Sequence, residues 1–279
     1  MSPSILFIPK SMEEALAVRS EHGRDCIVMS GGTLVMQAAA EGGLIGRQVM
    51  SLQRLGLDGI EMSNGSMRLG AMTKVKDLTS LDGVPPLAQS AALLGGPALK
   101  NMATLGGNLF ARPPWGDLTV ALLALDATVE LTGVGGRRTQ SLDGFLEAGG
   151  PGDDLVTAIT VGRPAGPSAY LKQRRRKANS PAIVAVAVAL EVGNDGRCLK
   201  ARIASSGGQR IVARSKAGEG RLQSSLLTEE DLKAAAMAAM EESSPFTDAL
   251  ATDWYRRKMI GVFVRRALES ALEQSRRTA

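Results

Sequence analysis

Along the first fifty residues the apolar positions change period twice. Ser11-Met12-Glu13-Glu14 fits a capping box, with Ser11 at the N-cap and Glu14 three residues on. Ala15, Leu16, Val18 and Arg19 continue it as a short amphipathic helix. Ile27, Val28 and Met29 then form an unbroken apolar run, the mark of a buried strand, and lead straight into Ser30-Gly31-Gly32-Thr33. Residues 34–40 read as helical, and Gly42-Gly43 ends that helix. Residues 48–52 and 67–71 read as strands, and Thr73 as the cap of a short helix to 78.

The next stretch predicts a helix over 87–94 that faces the core through Leu87, Ala91 and Leu94. Gly95-Gly96-Pro97 interrupts it, because proline removes a donor and glycine adds backbone entropy. A second glycine loop follows, Ala103-Thr104-Leu105-Gly106-Gly107-Asn108. Asp117 opens a strongly apolar helix through 124, residues 128–132 read as a strand, and Gly133, Gly135 and Gly136 mark the turn after it. A short helix over 142–146 and a strand over 155–161 complete this part.

Arg163-Pro164-Ala165-Gly166-Pro167 reads as a linker. It divides the chain into 1–165, with lobes of about 1–54 and 55–165, and 166–279. Beyond it, strands are expected over 169–174, 183–192 and 199–204, the last two joined by the hairpin turn Gly193-Asn194-Asp195-Gly196. Thr228-Glu229-Glu230-Asp231 resembles a capping box before a helix over 232–241. In the final helix, 253–274, Ile260, Phe263, Val264, Ala267, Leu268 and Leu272 recur at helical spacing. Mixed strands and helices, then a strand meander, then helices: the pattern is α+β.

Composition narrows the chemistry. The 279 residues are 44% hydrophobic and 22% charged, which is ordinary globular composition. There are 32 glycines but only 2 cysteines and 1 histidine. Those few Cys and His residues do not furnish a zinc site, and four cysteines for an iron–sulfur cluster are missing, so no metal site is expected on this chain. A Ser-His-Asp triad would need His22, which lies in a polar stretch. Cys26 and Cys198 read as buried, reduced thiols. The N-terminus lacks a basic leader, and the purest apolar run, 182–190, is far short of the roughly 20 residues that span a bilayer. A cytoplasmic protein without a membrane span is expected, in which the sequon Asn64-Gly65-Ser66 marks only a turn.

The net charge of +5 gathers most densely in residues 172–177, Lys-Gln-Arg-Arg-Arg-Lys. Single-stranded nucleic acid would call for interleaved aromatics, and only Tyr170 is near, so a partner subunit or an anionic cofactor is the expected counterpart and nucleic acid is not. Trp115, just before Asp117, has two readings: a cover over a cofactor, or a core or interface residue.

The two glycine loops carry the candidate chemistry. Strand–Ser30-Gly31-Gly32-Thr33–helix lets backbone approach a ligand and offers helix N-terminal N–H groups to an anion. It has neither the Gly-Lys-Ser/Thr of a P-loop nor the G-x-G-x-x-G of a dinucleotide fingerprint. The second loop adds backbone donors, the Thr104 hydroxyl and the Asn108 amide, with Asp117 downstream for a ribose or ribityl hydroxyl. Either the loops hold one diphosphate between them, or both are tight turns and Asp117 is an N-cap.

These loops resemble the AGGT/AGGH and TIGGN motifs of the FAD-binding subunits of molybdenum hydroxylases, the family of the carbon monoxide dehydrogenase medium subunit and the xanthine dehydrogenase flavin domain. The resemblance runs through residues 9–15, Gly70-Ala71-Met72-Thr73, residues 122–130 (LLALDATVE), 143–146, Leu155, Tyr170-x-Lys172 and 255–268. It implies a two-lobed FAD-binding domain of the PCMH or vanillyl-alcohol-oxidase-like type, then a smaller domain of antiparallel sheet plus helices. It implies that Met29, Ser30, Gly31, Gly32, Thr33 and Leu34 hold the FAD diphosphate, with Ala103, Thr104, Gly106, Gly107 and Asn108 opposite. Asp117 would take a ribityl or ribose hydroxyl, Leu155 the adenine end or the ring, Leu94 a van der Waals contact, and Tyr170 and Lys172 the isoalloxazine.

This chain departs from the pattern at Ser30 (usually Ala), Leu34 and Val35 (often Asp and Leu), Lys100 (often Arg) and Asn179-Ser180 (often acidic). The implied function is electron transfer: partner subunits, a large one with the molybdenum cofactor and a small one with 2Fe-2S clusters, reduce FAD, which serves an external acceptor. Two other classes compete. A self-contained flavin oxidase of the same fold, some of which tether flavin through His, would have to use His22; a basic interaction protein would hold no flavin.

Overall fold

The computed structural model describes residues 5–63, 65–177 and 179–278; Asn64 of the sequon lies outside them. In chain order the elements are β1 (Ile5–Phe7), α1 (Met12–His22), β2 (Cys26–Met29), α2 (Thr33–Ala40), β3 (Gln48–Ser51), β4 (Ile60–Ser63), β5 (Ser66–Gly70) and α3 (Val75–Leu78). There follow α4 (Pro85–Leu93), α5 (Pro97–Met102), α6 (Leu105–Asn108), α7 (Asp117–Ala124), β6 (Thr128–Gly133), β7 (Gly136–Ser141), α8 (Leu142–Glu147) and β8 (Leu155–Gly162). The last are β9 (Ser168–Arg174), β10 (Ala182–Val192), β11 (Cys198–Ser206), β12 (Ala213–Arg214), α9 (Lys216–Leu222), α10 (Glu229–Glu242) and α11 (Asp253–Thr278). The described residues form three sheets, and among them no helix is long and apolar enough to cross a membrane.

The chain divides into two compact units. The first comprises Met1–Asp77, Pro97–Ala111 and Thr128–Val161; the second comprises Leu78–Gly96, Arg112–Ala127 and Gly162–Ala279. This grouping differs from a single cut at 165/166. The reason is packing: α4 lies against β9, and α7 lies against β10 and β11.

In the first unit β1, β3 and β2 form a parallel sheet in the order β1-β3-β2, in register from Cys26–Gln48 to Met29–Ser51. Parallel strands need crossovers, which α1 and α2 supply. Ala15 of α1 packs with Cys26, Met50, Leu52, Met72 and Leu155 in a small core. Ser11 caps α1 by accepting the Glu14 N–H at 3.2 Å. The expected reciprocal bond shifts by one residue, because the Glu14 carboxylate accepts from the Lys10 N–H at 2.7 Å. Arg19, also buried, donates to the carbonyls of Gly23, Cys26, Gly152 and Asp153 and so ties α1 to the loop before β8. His22 stacks on Phe7, 5.1 Å between ring centroids, at the end of α1. A five-stranded sheet, β4-β5-β8-β6-β7, completes the unit.

In the second unit an antiparallel sheet, β12-β11-β10-β9, has two differently built faces. Val184, Val186, Val188 and Leu190 of β10 join α10 and α11 in one apolar core. The intervening Ala185 and Ala187 are fully buried outside that cluster, as the two-residue period of a strand requires. They pair in register with Lys172 and Tyr170 of β9. Small alanines leave this face room for two long side chains and for α7, all eight residues of which are buried. Thr228 and Asp231 make the full capping box at the start of α10.

Candidate functional site

The first unit brings the two glycine loops together. β2 ends at Met29, the chain turns through Ser30, Gly31 and Gly32, and α2 begins at Thr33. Gly32 is the N-cap and takes φ +76°, a left-handed conformation open to glycine without a Cβ penalty. Having no side chain, it gives the first-turn N–H groups no cap, and those groups have no carbonyl one turn earlier to bind. Leu34 is 43% exposed, so the helix start opens to solvent.

Gly31 is required for a different reason. A Cβ built there would lie against the Met102 carbonyl, 2.9 Å from its carbon, and 3.2 Å from the Ala103 Cα. The two loops therefore touch backbone to backbone. Gly106 does the same against Ala71, where a Cβ would meet the alanine Cβ at 2.8 Å and its carbonyl oxygen at 2.9 Å.

Side chains join the loops as well. The Ser30 and Thr104 hydroxyl oxygens are 2.7 Å apart, and Ser30 donates to the Met72 sulfur at 2.8 Å. Thr104 is the N-cap of α6 and accepts the Gly107 N–H at 3.2 Å.

The second loop is not the set of free backbone donors expected from its sequence. The Leu105 N–H goes to the Thr73 carbonyl, Gly106 to Ala71, Gly107 to Thr104 Oγ1, and Asn108 to the Thr104 carbonyl. Ala103 donates to Leu99, and its carbonyl accepts from Val75. This loop is a packed wall that braces the first one. Sequence reasoning assigned no site role to Met72, Met102 or Ala71. The signal available was Gly70-Ala71-Met72-Thr73, a run of mostly small residues that matches the close approach of backbone seen here.

The second unit holds a separate polar cluster. Lys172 Nζ lies 2.9 Å from Asp117 Oδ1, with side-chain exposures of only 1% and 6%. The Tyr170 phenol donates to the same carboxylate oxygen. Tyr170 and Lys172, two residues apart on β9, point to one face and meet Asp117 in the first turn of α7. Burial, reinforced by the adjacent Asp117 charge, pushes the Tyr170 phenol well above its ordinary range, so it stays a donor. The Tyr170 N–H is taken by Gln89 of α4 at 2.7 Å.

The remaining candidates fall at other places. Leu94 is buried at the end of α4 in the second unit. Leu155 is buried in the small core of the first unit. Trp115 is 50% exposed, and its carbonyl accepts from Ser206. The basic run is exposed only from Arg175 to Lys177, because Lys172 is internal. Both cysteines are free and buried, and burial raises both thiols above their usual range.

Residues 2–164 match the family described as the FAD binding domain in molybdopterin dehydrogenase, and residues 169–271 match the CO dehydrogenase flavoprotein C-terminal domain. The chain is 28% identical to the 6-hydroxypseudooxynicotine dehydrogenase complex subunit alpha of Paenarthrobacter nicotinovorans, over 97% of this chain and 95% of that one. It is 29% identical to the carbon monoxide dehydrogenase medium chain of Hydrogenophaga pseudoflava, over 94% and 95%. A solved carbon monoxide dehydrogenase from the latter organism, one lacking the Mo-pyranopterin moiety, superposes with a TM-score of 0.90 at 26% identity, covering 98% of this chain and 99% of that one.

Proposed function

The chain belongs to the molybdopterin dehydrogenase family of FAD-binding domains, and from that membership we propose that it is the electron-transfer subunit of a molybdenum-containing hydroxylase or dehydrogenase. It is an oxidoreductase subunit of the carbon monoxide dehydrogenase type. FAD, when bound, would supply the redox chemistry; iron–sulfur clusters on a small partner subunit and the molybdenum cofactor on a large one are the proposed source of electrons, and an external acceptor their proposed destination. The proposed setting is the cytoplasm.

One observation carries the cofactor assignment. The first glycine loop runs into the uncapped N-terminus of α2 and is braced backbone to backbone by the second loop. The N–H groups of Thr33 and Leu34 stand ready to hold a diphosphate without a lysine or a metal. At Gly31 a side chain would strike the second loop, and Gly32 allows the left-handed turn that starts α2. Ala103 and Thr104 meet Gly31 and Ser30 and hold that loop in place, Met29 anchors its start at the end of β2, and Gly106, Gly107 and Asn108 continue the proposed opposite wall.

In the second unit, Asp117 shares its Oδ1 between Tyr170 and Lys172. Its other oxygen is the proposed acceptor for a ribityl or ribose hydroxyl. Lys172, internal and paired with that carboxylate, would hold Asp117 in place for this contact.

The test is composition. The native complex, isolated through a tag on this chain, is expected to contain one larger and one smaller polypeptide, with molybdenum and iron in the preparation. Isolation of this chain alone, holding flavin that an organic substrate reduces directly, would instead establish a self-contained oxidase.

A further inference from the structure

We infer that Ser30 is a positioning residue for the cofactor site, acting through a directional hydroxyl relay that locks the two glycine loops into one cradle. The inference rests on the reading of these loops as the diphosphate site. The direction of the relay follows from counting protons. A hydroxyl has one hydrogen to donate and two lone pairs with which to accept. Ser30 spends its hydrogen on the Met72 sulfur at 2.8 Å. The hydrogen in the 2.7 Å contact between Ser30 and Thr104 is therefore that of Thr104. Thr104 in turn accepts the Gly107 N–H at 3.2 Å. The order is Gly107 N–H to Thr104, Thr104 to Ser30, Ser30 to Met72.

The relay crosses three segments: the α6 turn, the first glycine loop and Met72, two residues beyond β5. Thr104 is 2% exposed, so water does not readily replace its partner, and serial hydrogen bonds in such surroundings reinforce one another. The consequence is specific to the first loop. Its Gly31 already touches the Met102 carbonyl, and the relay fixes the residue immediately before it. The relay sets the height of the α2 N-terminus over the wall formed by 103–108. Because the Thr104 hydrogen is spent on Ser30 and the Ser30 hydrogen on Met72, neither hydroxyl has one to offer a phosphate, and the cofactor meets backbone N–H groups.

The experiment compares FAD affinity of the full chain, stripped of flavin, with that of Ser30→Ala, Ser30→Thr, Thr104→Val and the Ser30→Ala/Thr104→Val double variant. Flavin fluorescence gives the dissociation constant, and thermal unfolding of the flavin-free protein reports stability. Ser215→Ala, which loses the cap of α9 and a hydrogen bond to Glu242, serves as a destabilised control outside the glycine loops. Ser30→Ala is expected to bind about three- to ten-fold more weakly, the range for one neutral hydrogen bond. Ser30→Thr, which keeps the hydroxyl, should stay within about two-fold of the parent. Adding Ser30→Ala to Thr104→Val should cost less than Ser30→Ala costs alone, because only the Met72 link is then left to lose, and Ser215→Ala should bind as the parent does.

Unchanged affinity in Ser30→Ala overturns the inference, and so do independent, multiplying losses in the double variant. Loss of affinity in Ser215→Ala equal to that in Ser30→Ala also overturns it, because stability alone would then explain the result. If the parent itself binds no FAD, the cofactor reading falls and this inference falls with it.

Discussion

The substitution Gly31→Ala probes the loop contact with a single methyl group. The built Cβ lies 2.9 Å from the Met102 carbonyl carbon, where ordinary contact begins at 3.4 Å, so this carbon must retreat by 3.4 − 2.9 = 0.5 Å and its oxygen by more. The carbonyl sits at the end of α5 and has little freedom. The next residue, Ala103, is held by Leu99 through its N–H at 2.7 Å and by Val75 through its carbonyl at 3.0 Å. Overpacking of this kind costs about 1–3 kcal/mol. If that strain is relieved by parting the loops, FAD affinity falls about five- to a hundred-fold, at about 1.4 kcal/mol per factor of ten.

The assay is fluorescence titration with FAD beside a thermal melt of the flavin-free protein. Gly135→Ala is the control, because its Cβ meets nothing within 4 Å. Gly107→Ala is a milder second probe, with a Cβ 2.9 Å from the rotatable Thr104 hydroxyl. Parental affinity and stability in Gly31→Ala, or equal losses in Gly135→Ala, would refute the reasoning.

Two further outcomes test the second unit. Lys172→Met leaves the Asp117 carboxylate buried with Tyr170 as its remaining charge-stabilising partner, and breaking a buried pair in this way should cost about 3–5 kcal/mol in urea unfolding of the flavin-free chain; a loss below about 1 kcal/mol would show that the pair is not closed as described. Asp126, at the end of α7, is held by Arg202 and Lys200; burial opposes ionisation, but those hydrogen bonds win and bring the carboxyl from 3.8 down to about 2. A depressed folded-state value contributes stability above pH 3.8 that disappears as pH falls through about 2. Asp126→Asn should therefore flatten the acid limb of a urea-midpoint-against-pH curve, and an unchanged slope there would contradict the assignment.

Elements whose signal is local were legible in the sequence. α7 begins at Asp117 and ends at Ala124 as its apolar run implies, and the Thr228–Asp231 capping box is complete. Elements defined by a distant partner were not. β7, Gly-Arg-Arg-Thr-Gln-Ser, is almost wholly exposed and carries no apolar alternation; only its pairing with β6 makes it a strand. β1 is three residues long and exists because β3 lies beside it in parallel.

The candidate site shows the same divide. Both glycine loops stood out, and the structure joins them. Which of their N–H groups remain for a ligand was not legible, because Ala71 and Thr73, some thirty residues upstream, consume those of Gly106 and Leu105. Likewise Lys172 read as the start of a basic run and, by resemblance, as a flavin contact. Its two-residue spacing from Tyr170, opposite Ala187 and Ala185, turns it inward to Asp117.

The central claim is that this chain holds FAD, and the most direct measurement is the visible spectrum of the protein purified without added cofactor, followed by chromatographic identification of what heat releases. The account predicts oxidised-flavin absorbance and release of FAD at about one per chain. A colourless protein that also fails to take up added FAD would contradict it.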